Sequence, residues 1–284
     1  MGWIFVGGSQ RGGTTLLQTI LCQDAEANPL IQEAKYLRHL VGAYRFGKAQ
    51  FQIETKDYFR DVDSYLAFNR KLLRAFLENT LSLFPGKKHL VLREPHLTMY
   101  FPELSELLPR ARFVCVIRDP RDVIASMIEV GRKMKAQGTT GDAMARLFIG
   151  RNMEQLSQHV LSFYEPLFQR SATALRERLH FLRYEDLVQH PDQQLEIMRR
   201  VTGLKLAGVD PHADPDLGKV DHGRGSAYQR AWKTEMDGKG IADDSIGRYR
   251  KVLEGEEIAA IERLCARLMT RFNYLTMGSD PIER

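Results

Sequence analysis

Four short, mostly apolar runs along the chain predict the strands of a buried sheet. They are Trp3–Val6, His89–Leu92, Arg112–Ile117 and His180–Leu182. Runs that are apolar at nearly every position are typical of parallel strands, because both faces of a parallel sheet are covered.

Segments with apolar residues at helical spacing separate these runs. They predict helices at 14–23, 57–84 (one or two), 98–108, from 120 onward, 141–171 (one long helix), 186–202 (with a break before Pro191) and 254–272. Strands that alternate with helices predict an α/β fold, a central parallel sheet flanked by helices, here as one domain over residues 1–284. Residues 205–245 lack this periodicity, so we expect them to cover a ligand.

Composition narrows the class of ligand and compartment. The net charge of +5 favours a small anionic ligand over nucleic acid, which clustered basic runs would indicate. The three cysteines and the histidines lack metal-ligand spacing, which predicts no metal site. No apolar run reaches the roughly 18 residues of a membrane span, so we expect a cytoplasmic protein or a domain cut from a longer one.

A glycine-rich loop, Gly8-Ser-Gln-Arg-Gly-Gly-Thr-Thr15, joins the first predicted strand to the first predicted helix. Glycines let the backbone wrap around a phosphate, and the start of the helix offers free N–H groups and a positive dipole end. Arg11 adds a fork of donors for an anion. Thr14 stands where nucleotide-hydrolysing phosphate loops carry a lysine, so the loop lacks the group that reaches a γ-phosphate.

A second motif follows the third predicted strand. Arg118 lies at the strand end, and Asp119 and Pro120 begin the next helix as N-cap and first residue. Ser126 follows Arg118 by about two helical turns, so it can face the same side as the helix start. An arginine and a serine placed there suit a second phosphate.

Together these motifs resemble the sulfotransferases that use 3′-phosphoadenosine 5′-phosphosulfate (PAPS). Four blocks match in family order: the 5′-phosphosulfate loop at Gln10–Thr15, the 3′-phosphate motif Arg118, Asp119, Asp122 and Ser126, the RYEDL segment at Arg183–Pro191, and the closing segment of bacterial members at Ser245–Arg250. The resemblance implies a P-loop-like sulfotransferase fold, with PAPS as cofactor, adenosine 3′,5′-bisphosphate (PAP) as product and no metal ion.

The resemblance also implies which residues contact the cofactor. They are Arg11, Gly12, Gly13, Thr14, Thr15, Arg118, Ser126, Tyr184 near the adenine and, from a loosely matching basic segment, Arg224. PAPS has no γ-phosphate, which accounts for the missing lysine. Gln10 and Gly12 replace the usual proline and serine of the family, which predicts a less rigid loop with one hydroxyl fewer.

Sulfonate transfer to a hydroxyl needs a general base near the acceptor oxygen. The resemblance offers Glu33, after the first helix, and His96, after the second strand, and we prefer Glu33 slightly. A solvated or capping role remains the alternative for each. Arg93 corresponds to a family lysine that binds the sulfonate, and Arg11 is expected to stabilise the leaving phosphate oxygen.

The acceptor itself is left open by the sequence. A small molecule, a carbohydrate, a lipid, a peptide tyrosine and a carrier-bound chain all fit a hydroxyl-bearing acceptor, and the oligomeric state is not predicted. Two other functions also remain. A P-loop kinase or NTPase would turn over ATP with magnesium, and a non-catalytic module would bind PAP without transferring a sulfonate to any acceptor.

Overall fold

Four parallel strands form the central sheet, in the spatial order β2–β1–β3–β4. The computed structural model describes residues 2–169, 173–212, 232 and 245–274. The strands are β1 (Gly2–Gly8), β2 (His89–Arg93), β3 (Arg112–Ile117) and β4 (Leu179–Arg183). All four predicted strands are confirmed, with small differences at their ends.

Helices connect the strands and cover both faces of the sheet. The α-helices are α1 (Thr14–Leu21), α2 (Lys35–Ala49), α3 (Val62–Ser82), α4 (Phe101–Leu107), α5 (Pro120–Ala136), α6 (Ala143–Gly150), α7 (Met153–Ser162), α8 (Glu165–Phe168), α9 (Thr173–Arg176), α10 (Tyr184–Gln189), α11 (Pro191–Thr202), α12 (Gly255–Leu264) and α13 (Ala266–Arg271). A 3₁₀ helix at Pro95–Tyr100 follows β2. This confirms the predicted α/β fold with a flanked parallel sheet.

Alternate residues of β1 enter two halves of the core. Ile4 and Val6 lie in one buried cluster with Leu17 of α1, whereas Phe5 lies in the other with Leu37 of α2. Successive side chains of a strand point to opposite faces, so both faces of the sheet are packed. The packed sheet therefore holds the loops at the carboxyl ends of its strands in fixed relative positions.

The long helix predicted over 141–171 is wrong. The chain breaks there into α6, α7 and α8, because Arg151 takes a left-handed φ of 49° and so ends α6. The side chain of Asn152 then accepts the N–H of Gln155 and caps the start of α7. This break lets α7 lie against the glycine-rich loop, where His159 contacts Gln10.

Other boundaries are also sharper than the sequence indicated. Asp61 and Ser64 form a capping box that begins α3, inside the helical region predicted at 57–84. The predicted break before Pro191 is confirmed between α10 and α11. The last predicted helix is divided at Cys265 into α12 and α13. Most of the segment 205–245 lies outside the described residues.

Candidate active site

The glycine-rich loop is held in a conformation that requires glycine at two positions. Gly8 and Gly13 have φ values of 141° and 94°, which side chains rarely adopt. A Cβ on Gly13 would come within 2.3 Å of the Tyr184 ring. Tyr184 therefore packs directly on the loop, which brings the RYEDL segment to the glycine-rich motif.

The start of α1 is open to a ligand. Its N-cap, Gly13, offers no side-chain hydrogen bond, and the first turn contains no acidic residue. The N–H groups of a first helical turn have no partner within the helix and bind anions readily. Thr14 is buried and Thr15 is exposed, so the two predicted hydroxyls stand at the same helix start in different environments.

Three contacts from distant elements fix this loop. The N–H of Gly8 donates to Thr98 Oγ1 at 2.8 Å, and the N–H of Ser9 donates to the Tyr164 hydroxyl at 3.0 Å. The side-chain oxygen of Gln10 lies 2.9 Å from Nε2 of His159. The proline missing at position 10 is thus replaced by a side-chain anchor, so the predicted loosening of the loop at Gln10 does not follow.

Arg11, Arg118 and Ser126 come together although their motifs are far apart in sequence. Nε of Arg11 donates to Ser126 Oγ at 3.1 Å, and a terminal nitrogen of Arg118 donates to the carbonyl of Arg11 at 3.1 Å. The guanidinium of Arg118 also stacks on the Tyr184 ring, with its carbon 4.6 Å from the ring centre. The two predicted phosphate sites therefore form one continuous cradle.

Arg118 keeps a buried donor unused. It is 8% exposed, and its Nε has no hydrogen-bond partner among the described residues. Its other terminal nitrogen donates to the carbonyl of Ser245 at 2.6 Å, and Ser245 Oγ lies 2.8 Å from the Tyr184 hydroxyl. A buried guanidinium with an unpaired donor fits an anionic ligand, because leaving such a donor unpaired is costly.

The two aspartates of the second motif have structural roles. Asp119 caps α5 through the N–H of Arg121 and also pairs with the Arg121 side chain. Asp122 accepts the N–H groups of Gly247 and Tyr249, and burial raises the pKa of its carboxyl. These bonds hold the closing segment against the start of α5, beside Arg118.

On the acceptor side, Arg93 and Glu33 are paired with each other. Arg93 ends β2, and a terminal nitrogen donates to Glu33 Oε1 at 3.0 Å while Nε donates to Gln18 Oε1 at 3.0 Å. Glu33 also lies 3.5 Å from the ammonium of Lys35. The two carboxylate oxygens of Glu33 thus each face a cation, Arg93 on one side and Lys35 on the other.

His96 has a different partner. Its Nδ1 lies 3.1 Å from Oε1 of Glu94, whose side chain is 1% exposed. A carboxylate beside Nδ1 favours the tautomer that carries its proton there, so that Nε2 can accept a proton. Arg38 approaches the same carboxylate at 3.5 Å, and the other Glu94 oxygen has no hydrogen-bond partner within the described part of the chain.

A second histidine lies behind this pair. The ring centre of His159 is 6.4 Å from that of His96, and Phe163 packs on both rings. Burial, and then the like charge of His96, lower the pKa of His159 from 6.5 to about 4. His159 is therefore neutral at pH 7, with Nε2 beside the Gln10 side chain and its ring packed near that of His96.

A cavity of about 520 Å³ opens beside His96. Its wall is formed by α2 and by the 3₁₀ helix after β2, with the lining residues Arg38, His39, Gly42, Ala43, Phe46, His96, Met99 and Tyr100. The sequence analysis identified only His96 among them. The others carry no motif, because they are brought together by the packing of α2.

Other residues that hold the motifs in place were also not predicted from the sequence. Tyr164 and Thr98 each hold a motif from a remote element, and 155 residues separate Tyr164 from its partner Ser9. Arg224 lies outside the described residues, so its contact with the cofactor stays a prediction. No group of three or more potential metal ligands occurs within the described ranges. Likewise, no helix of the described chain is long and apolar enough to cross a membrane.

Known proteins match this chain over most of its length. Carbohydrate sulfotransferase 5 of Mus musculus is 25% identical over 209 residues, which cover 69% of this chain and 50% of that protein. Protein-tyrosine sulfotransferase 2 of Gallus gallus is 23% identical over 286 residues, covering 99% of this chain and 71% of that protein. The chain spans about half the length of the curated carbohydrate sulfotransferases it matches.

Solved structures show the same fold. The sulfotransferase domain from the curacin biosynthetic pathway matches with a TM-score of 0.55 at 17% identity, covering 94% of this chain and 97% of that one. The sulfotransferase domain from the Synechococcus PCC 7002 olefin synthase matches with a TM-score of 0.52 at 17% identity, covering 97% and 95%. The model of the sulfotransferase family itself matches residues 4–208, well over half of the chain. The chain therefore belongs to the sulfotransferase family.

Proposed function

We propose that this chain transfers the sulfonate of PAPS to a hydroxyl group of an acceptor by in-line displacement. The observation that carries this proposal is the cradle of donors at the ends of β1 and β3, in which Nε of Arg118 has no partner among the residues that the structure describes. Family membership adds to it, since the matched region contains both phosphate motifs. A kinase phosphate loop would carry a lysine where this chain has Thr14.

Two parts of the cradle would bind different parts of the nucleotide. The first turn of α1, with Thr14 and Thr15, would hold the 5′ side of the nucleotide, and Arg118 with Ser126 would hold the 3′-phosphate. Tyr184 would lie against the adenine. Bound PAPS supplies an activated sulfonate with a phosphate as leaving group. Arg11, fixed by Ser126, offers positive charge to that phosphate, so this chemistry requires no metal ion.

His96 is our choice for the general base. Its Nε2 would accept the proton of the acceptor hydroxyl, and the buried carboxylate of Glu94 beside Nδ1 would stabilise the resulting imidazolium. Glu33 would instead neutralise and orient Arg93, which would bind the sulfonate. This reverses the slight preference for Glu33, because both of its carboxylate oxygens are engaged by Arg93 and Lys35, whereas His96 lines the cavity.

Nucleotide binding is the first test of the function. Full-length protein is incubated with PAP and its thermal unfolding is followed, then labelled PAPS is supplied with a panel of alcohols and phenols. We expect PAP to raise the melting temperature and the label to reach an acceptor. Absence of stabilisation at millimolar PAP would contradict the nucleotide site. Binding without transfer would favour the non-catalytic module, and magnesium-dependent ATP turnover would favour the kinase.

The identity of the general base is tested with two variants. Each replaces a side chain that can accept a proton by glutamine. His96→Gln is expected to lower kcat by about 10²–10⁴-fold, the usual contribution of a general base. Glu33→Gln is expected to raise KM for PAPS more than it lowers kcat, because it releases Arg93. A larger loss of kcat in the glutamate variant would return the base to Glu33.

A further inference from the structure

The cavity beside His96 has two chemically different walls. One wall carries the guanidinium of Arg38 and the imidazole of His39 from α2, and the other carries apolar surface from Phe46, Met99 and Tyr100. Of the described residues that line it, none is acidic. A volume of about 520 Å³ is that of a typical small-molecule site.

Arg38 retains hydrogen-bonding capacity toward the cavity. One terminal nitrogen lies 3.5 Å from Oε1 of Glu94, and the other lies 3.4 Å from Nε2 of His39. The carboxylate of Glu94 is shared with His96 and lies behind the cavity wall at 1% exposure. A guanidinium carries five N–H donors, so these two long contacts leave donors for a second anion.

Neighbouring side chains hold the apolar wall of the cavity in place. Arg45 stacks on the Tyr100 ring at 3.9 Å from its centre and is itself paired with Glu103, which fixes the ring. Phe46 is 61% exposed and adds apolar surface to this wall. Gly42 leaves space above Tyr100, since a Cβ there would lie 3.7 Å from the ring hydroxyl.

We propose that the acceptor is a small amphipathic hydroxy compound with an anionic group. Its carboxylate, phosphate or sulfate would bind Arg38 and His39, its apolar body would lie on Phe46, Met99 and Tyr100, and its hydroxyl would face His96. The inference rests on the proposed function, because it assigns the cavity to the sulfonate acceptor.

Matched pairs of probes separate charge from shape. The acids p-hydroxyphenylacetate and ω-hydroxyoctanoate are compared with their primary amides, which keep the size and the hydroxyl and lose the charge. Binding of each to the full chain saturated with PAP is measured by calorimetry, which requires no turnover. We expect each acid to bind roughly tenfold or more tightly than its amide, as for a charge-assisted hydrogen bond.

Two variants in α2 test whether the preference for acids over amides arises in the cavity. Arg38→Gln is expected to reduce the acid-to-amide ratio to about one to threefold. Lys48→Gln removes the same charge from the same helix, outside the cavity, where the lysine pairs with Glu106. This control is expected to keep the ratio of the unaltered protein, because exposed ion pairs contribute little.

The outcomes distinguish this inference from the proposed function. If PAP binds but acids and amides bind equally, or neither binds, the anionic acceptor is wrong while the nucleotide site stands. If the arginine and lysine variants change the ratio equally, the preference comes from overall charge rather than from this cavity. Failure of PAP to bind would contradict the proposed function itself.

Gly42 provides an independent check on the location. Gly42→Leu would fill the space above Tyr100 and is expected to weaken both acids by about tenfold or more, with PAP binding retained. Gly42→Ala is the control, because its Cβ makes only ordinary van der Waals contact. Unchanged acid binding in the leucine variant would place the ligand elsewhere.

Discussion

Gly13 combines two constraints in one residue, a left-handed backbone and contact with an aromatic ring. Gly13→Ala would place a Cβ 2.3 Å from Tyr184 at a φ of 94°. We expect a loss of about 1–3 kcal/mol in the free energy of unfolding from the strained backbone, with weaker PAP binding as the ring is displaced. Urea unfolding and calorimetry with PAP measure the two effects.

Gly150→Ala is the matched control for this change. Gly150 ends α6, has no heavy atom near a built Cβ and does not adopt a positive φ. This substitution is expected to leave PAP affinity unaltered. Equal losses of affinity in both variants would show that the packing of Tyr184 on the loop does not matter for the nucleotide.

His159 makes stability depend on pH. Its pKa is lowered by burial from 6.5 to about 4, so between these values the unfolded chain binds more protons than the folded one. Stability from this residue is present above pH 6.5 and is lost as the pH falls toward 4, by on the order of 3 kcal/mol in total. Urea unfolding across this pH range gives the slope.

The variant His159→Gln isolates this contribution, because His89 and His180 also have lowered pKa values and remain in place. We expect its stability curve to be flatter than that of the unaltered protein between pH 4 and 6.5. Parallel curves would mean that His159 is charged in the folded state, contrary to its neutral role beside Gln10.

At the scale of elements, the turn between α7 and α8 anchors the glycine-rich loop. The hydroxyl of Tyr164 accepts the N–H of Ser9, lies 3.1 Å from its Oγ and donates to the carbonyl of Val116 at 3.2 Å. Tyr164→Phe would leave these buried groups unpaired and is expected to cost about 1–3 kcal/mol in the free energy of unfolding.

Tyr58→Phe serves as the comparison for that prediction, because Tyr58 is 82% exposed. It is expected to change the free energy of unfolding by less than about 0.5 kcal/mol. If both variants unfold at the same urea concentration, the tyrosine hydroxyl of the α7–α8 turn does not stabilise the loop.

The elements also show what sequence can and cannot predict. All four strands were predictable, because apolar runs bounded by glycine, proline and charge require burial on both faces. The break at Arg151 was not, since a left-handed arginine has no strong sequence signal and the apolar spacing continues through it. The helical character of this region could be predicted from the local sequence. The points at which its helices end could not, because they depend on how α7 packs against the glycine-rich loop.

At the scale of the whole molecule, the sheet order predicts a gradient of stability. β1 and β3 are paired on both sides, whereas β2 and β4 are edge strands. We expect the amides of β1 and β3 to exchange with solvent slowest, and PAP to protect residues 8–15 and the start of α5 more than α2. Hydrogen exchange with and without PAP measures both.

A different pattern of hydrogen exchange would contradict one of these two expectations. If PAP protected α2 as strongly as the glycine-rich loop, the acceptor wall and the nucleotide cradle would form one cooperative unit. If β2 exchanged as slowly as β1, edge position would not govern local opening.

The separation between the nucleotide cradle and the acceptor cavity also explains which part of the site could be predicted from the sequence. Arg11, Arg118 and Ser126 could be placed together, because the carboxyl ends of parallel strands meet at one edge of the sheet. The residues that line the proposed acceptor cavity, apart from His96, could not be predicted, because they depend on how α2 packs against the residues after β2. Neither segment has a fixed spacing that would indicate the packing.

The described residues that line the acceptor cavity all fall between positions 38 and 100, while Arg118, Ser126 and Tyr184 follow later in the chain. One contiguous segment of the chain therefore specifies the wall of the proposed acceptor cavity. Recombination that exchanges the corresponding part of the gene between relatives would alter the proposed acceptor preference and retain the later residues that we propose for nucleotide binding. In the proposed enzyme, acceptor preference can thus diversify by the transfer of a single gene fragment.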